Sequence, residues 1–137
     1  SSSAASDVYK RQKLHSFHWY VNGRSFYTLH TVFENYYDYT TATLDEAAER
    51  LLAIGGRPVS TLKGALELAT IEEATEKETT SEMVAAVFHD FELLKADLSK
   101  LMELSEEEGD QGTSDFALGV KTQLEKNIWM LKAYLAE

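Results

Sequence analysis

The 137 residues carry 44% hydrophobic side chains, a formal charge of −10 and no cysteine. That is about one domain with a real core. It excludes disulfides, thiolate chemistry and Cys-type zinc fingers, and the charge argues against wrapping a phosphate backbone while suiting cations.

No run of about 18 apolar residues marks a membrane span. The opening "SSSAASDVYKRQ" is small and polar. It lacks the apolar centre of an export signal, so a cytoplasmic protein is expected. Strand-like alternation is scarce, and the reading is all-α. A first helix runs from about Asp7 to Val21, with Leu14, Phe17 and Val21 at helical spacing. "NGRS" breaks it, and a second helix starts near Ser25. Its stripe is Phe26, Leu29, Val32, Phe33, Tyr36 and Tyr37, continuing through Leu44, Ala48, Leu51 and Leu52. It stops at "GGRP", where Gly55 suits a C-cap and Pro58, the single proline, forbids continuation. A connection of roughly 25 residues follows, long enough to hold structure of its own. Within it "STLKGALELA" predicts a short helix from Ser60. The third long helix follows "TTSE", where Thr79 and Glu82 have capping-box spacing. It carries Met83, Val87, Phe91, Leu94, Leu98 and Leu101. "EEEGDQGTSD" predicts a turn, and the last helix starts near Thr113 with Phe116, Val120, Leu124, Ile128, Leu131 and Leu135. Four long helices and one short crossover helix predict a four-helix bundle with a long middle connection.

His18 and His30 lie on either side of the Asn22–Arg24 turn. They are therefore expected at similar heights on adjacent antiparallel helices. Two packing histidines near a hairpin would look the same. Asp45 and Glu49 are four residues apart and share a helical face. The commoner meaning of such a pair is a solvated acidic surface. Two imidazoles and two carboxylates nevertheless suit a divalent first-row metal. Distance is the obstacle, because an unbroken helix separates His30 from Asp45 by about 22 Å. Ligands lie only ~2 Å from such a metal. Either the four residues are unrelated, or they meet across two chains. A two-fold axis would then create two identical sites. An intrachain di-iron core needs Glu-x-x-His pairs. The residues three before the histidines are Gln12, His15, Tyr27 and Ala86, so this chain has none.

"LHSFHWYVNGRSFYTLHTVFENYYDYTTATLDEAAERLLAIGG" resembles the signature of the Dps mini-ferritins, DNA-binding proteins from starved cells. The similarity continues through "RPVSTLK" and "EGDQGTSD" to "KNIWMLKAYL", from Leu14 to Leu135. His18, His30, Asp45 and Glu49 all fall at that family's spacing. The resemblance implies a ferritin-like bundle and a ferroxidase centre shared by two-fold-related subunits. It further implies a hollow homododecamer, iron as the metal handled and an iron oxide core. Glu34 matches a position that assists the site, and Trp19 a tryptophan close to the iron, although Trp19 could equally pack the core. Asp110 and Asp115 match acidic residues lining three-fold pores that admit iron, although an acid in a helix's first turn also favours the helix dipole.

The family's first helix begins earlier than the point matching Lys10. Residues 1–12 are accordingly expected to hold an irregular or non-native N-terminal segment and the start of the first helix, with residues 13–137 forming the ferritin-like Dps domain. DNA-condensing members use a lysine-rich tail. Here the one basic cluster, Lys10, Arg11 and Lys13, is expected on the helix surface, and DNA binding through this chain is not expected. The chemistry implied is oxidation of Fe²⁺, preferentially by hydrogen peroxide, followed by mineralisation of Fe³⁺. Zn²⁺ should compete for the same ligands. The alternatives are a DNA-packaging structural protein of the same fold, and a plain helical interaction domain whose histidines and acidic face are incidental.

Overall fold

The computed structural model describes residues 2–57 and 72–136, with side chains from Arg11 onward. The described residues form four helices and no strand: α1 (Ser2–Tyr20), α2 (Phe26–Ala53), α3 (Thr80–Glu107) and α4 (Gln111–Leu135). The short helix expected from Ser60, and Pro58 itself, lie outside the described residues. The chain divides into two units, Ser1–Met83 and Val84–Glu137.

In the first unit α1 and α2 pack together as a hairpin. Its buried apolar residues include Leu14 and Phe17 from α1, Val21 just past its end, and Leu29 and Phe33 from α2. The Phe17 and Phe33 rings meet at 5.8 Å. Leu14, Phe17 and Val21 recur at three and four residues and so present one face of α1. α1 starts five residues earlier than expected, at Ser2. Serine and alanine carry no apolar stripe to signal a helix, although alanine favours one intrinsically. Lys13 departs from its expected surface position: it is 9% exposed. Four residues before Phe17, it shares that buried face, and its methylene stem can cover apolar surface. Arg11 is half-buried.

α2 ends as expected at the glycine pair. The Gly55 amide donates to the Leu52 carbonyl at 3.1 Å and the Gly56 amide to the Leu51 carbonyl at 2.8 Å. This is the Schellman pattern, and it requires the φ of +92° that Gly55 adopts. The capping box at α3 also forms. The Thr79 amide donates to Glu82 Oε1 at 2.9 Å, and the Glu82 amide to Thr79 Oγ1 at 3.2 Å. Hydrogen bonding to the Thr79 amide, and then to the Thr79 hydroxyl, holds the Glu82 carboxyl below its ordinary range.

In the second unit, Val84, Val87, Phe91, Leu94 and Leu98 of α3 are buried, as are Ala117, Val120, Leu124, Ile128 and Leu131 of α4. The expected turn shrinks. α3 runs on to Glu107 and α4 begins at Gln111, two residues before the expected start. Glutamates are good helix formers. Only Glu108–Asp110 remain between the helices, with Gly109 in the left-handed region at φ +70°.

Candidate metal centre

The α1–α2 hairpin sets the histidine geometry. His18 lies near the end of α1 and His30 in the second turn of α2, so the short turn between the helices brings them level. Their imidazoles stack with centroids 3.7 Å apart and planes at 16°. Each also bonds the other's backbone: His18 Nδ1 lies 2.7 Å from the His30 carbonyl, and His30 Nδ1 lies 2.8 Å from the His18 carbonyl. A carbonyl oxygen only accepts, so both Nδ1 atoms carry the proton. In the neutral ring this leaves Nε2 of each with a free lone pair. Fixing the tautomer through the second ring nitrogen is how proteins orient metal-binding histidines. Phe26 stacks on His30 at 4.9 Å, and His18 is 8% exposed. The alternative of two incidental packing histidines does not by itself call for two reciprocal bonds.

The carboxylates are elsewhere. α2 is continuous from Phe26 to Ala53. Asp45 and Glu49 share an exposed face in its C-terminal half, about 22 Å of helix axis beyond His30. Among the described residues, no three His, Asp or Glu side chains converge closely enough to hold a metal ion. The structure therefore joins His18 to His30 and does not join either to Asp45 or Glu49 within one chain. Glu34 is exposed one turn beyond His30. Trp19 is 59% exposed, so it does not pack this chain's own core.

Asp110 has a structural task. It caps α4, accepting from the Thr113 amide at 3.1 Å and from the Thr113 hydroxyl through its other oxygen. Asp115 is exposed and accepts from Gln111 Nε2 at 3.2 Å.

Two residues beside the histidines escaped the sequence reading. His15 stacks on Tyr37 at 3.8 Å and 19°, and Tyr37 meets the His18 ring edge-on at 5.3 Å and 86°. The spacing held a signal, since His15 is three before His18 and Tyr37 seven after His30, on the same helical faces. Burial, then the negative charges of Glu34 and Asp38, raises the Tyr37 phenol above its ordinary value. Neighbouring Tyr36 is pushed up to about 12 by burial.

A family model described as a ferritin-like domain matches residues 5–137. The chain is 50% identical over 123 residues to DNA protection during starvation protein 2 of Bacillus anthracis, covering 90% of this chain and 84% of that protein. The fold is similar to the crystal structure of a Dps protein from Bacillus brevis, with a TM-score of 0.96 and 42% identity over 98% of this chain and 90% of that one. It is similar also to the structure of Dps from Listeria innocua soaked with zinc, with a TM-score of 0.94 and 40% identity over 98% of this chain and 91% of that one. The fold is a ferritin-like all-α bundle, and the chain belongs to the Dps family of ferritin-like proteins.

Proposed function

We propose that this chain oxidises and stores iron in a hollow homododecamer, at ferroxidase centres built between two subunits. The observation that carries the reading is the reciprocal His18–His30 clamp, which leaves two Nε2 lone pairs while, among the described residues, no metal-holding cluster of three His, Asp or Glu forms within one chain. Asp45 and Glu49 of a two-fold-related copy would supply the missing oxygen ligands, and His18 and His30 of the first copy the nitrogens. A two-fold axis makes the two sites equivalent. Trp19, Tyr20 and Tyr27 are exposed on the histidine hairpin and offer that second copy apolar surface to cover. Glu34 stands one turn from His30 as an auxiliary oxygen donor.

Fe²⁺ is the substrate. Two ferrous ions each give up one electron to hydrogen peroxide, which takes two protons and leaves as two waters. Pairing the electrons avoids releasing hydroxyl radical. The ferric product then hydrolyses and mineralises inside the shell. Zn²⁺ suits the same donor set and competes for it, in keeping with a relative whose structure was soaked with zinc. Of the two pore candidates, Asp115 is the better guide for incoming iron, because both Asp110 oxygens are engaged by Thr113. The setting is the cytoplasm. Among the described residues no helix is long and apolar enough to cross a membrane.

The test is Fe²⁺ oxidation by peroxide, followed optically on purified protein of measured molar mass. A protein of about twelve chains that oxidises iron faster than buffer supports the reading. A monomer without activity overturns it.

A relative named for DNA protection bears on the second reading, a DNA-packaging protein of the same fold. Twelve chains at −10 each would carry roughly −120. Binding to DNA draws on counterions released when basic side chains neutralise phosphates, and here 23 acidic residues outnumber 13 lysines and arginines. Protection would then come from consuming Fe²⁺ and peroxide. A gel shift by metal-free protein at moderate salt would favour packaging instead.

A further inference from the structure

Beyond the two histidines, we propose that Tyr37 and His15 are positioning residues for His18, forming a relay of ring contacts that sets the plane of its imidazole. The proposal rests on the metal-centre reading for its function, but its geometry stands within one chain. The relay begins at a backbone anchor: His15 Nδ1 lies 2.8 Å from the Arg11 carbonyl. That carbonyl can only accept, so the bond fixes the His15 tautomer and ring. His15 lies flat on Tyr37 at 3.8 Å and 19°. Tyr37 in turn abuts His18 at 5.3 Å and 86°, the edge-to-face arrangement aromatic rings favour. His18 is thus held by three contacts: its bond to the His30 carbonyl, its stack on the His30 ring, and the Tyr37 edge.

The third contact has a separate task. A hydrogen bond from Nδ1 fixes the tautomer but leaves the ring free to rock about the N–H···O axis. The His30 stack constrains one face of His18 only, with His30 held in turn by its bond to the His18 carbonyl and by the Phe26 ring. Tyr37 ties His18 itself to a second point outside the pair, about two turns before it on α1 at Arg11. A ring that rocks moves its Nε2 lone pair off line, and loss of such supporting contacts weakens metal binding. Tyr37 donates no ligand in this scheme. Its ring matters and its hydroxyl does not.

The experiment compares wild type with Tyr37→Ala, Tyr37→Phe and His15→Ala, each as the assembled protein. One arm titrates Co²⁺ and follows its d–d absorption, with His30→Ala as the control for site-specific binding. Tyr37→Ala is expected to bind Co²⁺ about tenfold more weakly, with an altered spectrum. Tyr37→Phe recovers both properties, and His15→Ala falls between. The second arm is a metal-free crystal structure of Tyr37→Ala, in which the His18 ring should rotate or split into two conformers. A Tyr37→Ala protein with wild-type Co²⁺ affinity and an undisturbed His18 ring overturns the proposal. So does a Tyr37→Phe protein as weak as Tyr37→Ala, because the hydroxyl would then be the active part. Lower thermal stability with unchanged Co²⁺ spectrum and His18 geometry would mean packing alone, and also overturns it. If wild type shows no His30-dependent Co²⁺ signal, the metal-centre reading fails. The ring geometry in the second arm then decides the positioning claim by itself.

Discussion

The two ends of α2 are built differently. From Phe26 to Thr40 the helix buries Leu29, Phe33 and Thr40 and locks His30 to His18 by a stack and two hydrogen bonds. From Thr41 to Ala53 no residue is fully buried, Leu44, Ala47, Ala48 and Leu51 are half-buried, and Asp45 and Glu49 stand exposed. The cause is length. α1 has 19 residues and α2 has 28. At equal rise per residue, an antiparallel α1 covers α2 only as far as about Leu44. The histidine end is finished within the chain. The carboxylate end lies beyond the reach of α1 and keeps Asp45 and Glu49 exposed, open to a partner. In the proposed centre, that partner is the histidine end of a second copy.

The largest effects should fall on iron oxidation, where both ends are needed. His30→Ala and Asp45→Ala should each abolish fast Fe²⁺ oxidation in an assay with peroxide. Their stabilities should then differ. His30→Ala removes the donor to the His18 carbonyl and the stacked ring, and should cost about 1–3 kcal/mol in denaturant unfolding. Asp45→Ala alters an exposed side chain and should stay within about 0.5 kcal/mol. Equal losses of stability would erase the contrast between the ends.

A mixing experiment addresses whether the ends meet in trans. A His18→Ala/His30→Ala protein and an Asp45→Ala/Glu49→Ala protein should each be inactive. After joint disassembly and reassembly, some two-fold pairs regain all four ligands, and partial activity should return. Verified mixed shells with no recovery would sink the shared centre.

Packing alone gives a contrast in stability and none in the chemistry. Phe33 is 0% exposed, and Phe33→Ala should cost about 3–5 kcal/mol. Glu46→Ala, on the exposed half, should cost less than about 0.5 kcal/mol. Urea midpoints at constant slope would measure both, and a large loss at Glu46 would show that the distal half is packed after all.

The smallest effect lies outside α2 and calibrates the others. The carboxyl of Glu82 is held below its ordinary range by the Thr79 amide, then by the Thr79 hydroxyl. A lowered folded-state value stabilises above the unfolded value of 4.5 and is lost as pH falls through the folded one. Wild type should therefore exceed Glu82→Ala slightly in thermal stability at neutral pH, and the gap should close in acid. A gap that persists at the lowest pH would mean that the capping carboxylate is not its source.

Much of this protein was legible before any coordinates. The apolar stripes located all four helices, because burial of one face imposes a period of 3.6 on the sequence. The glycine pair at the end of α2 and the Thr79–Glu82 box marked their own boundaries, because capping is local chemistry within a few residues. The separation of His30 from Asp45 also followed from sequence, since a helix is a ruler. What escaped were features without local periodicity. The serine- and alanine-rich start of α1 has no stripe to reveal it. Lys13 was misplaced because a charge says less about burial than the face it sits on. The reciprocal carbonyl bonds of His18 and His30, and the Tyr37 ring wedged between His15 and His18, required tertiary structure. They depend on the height at which two helices meet across a turn, and a shift of one residue along α2 would rotate every partner by about 100°.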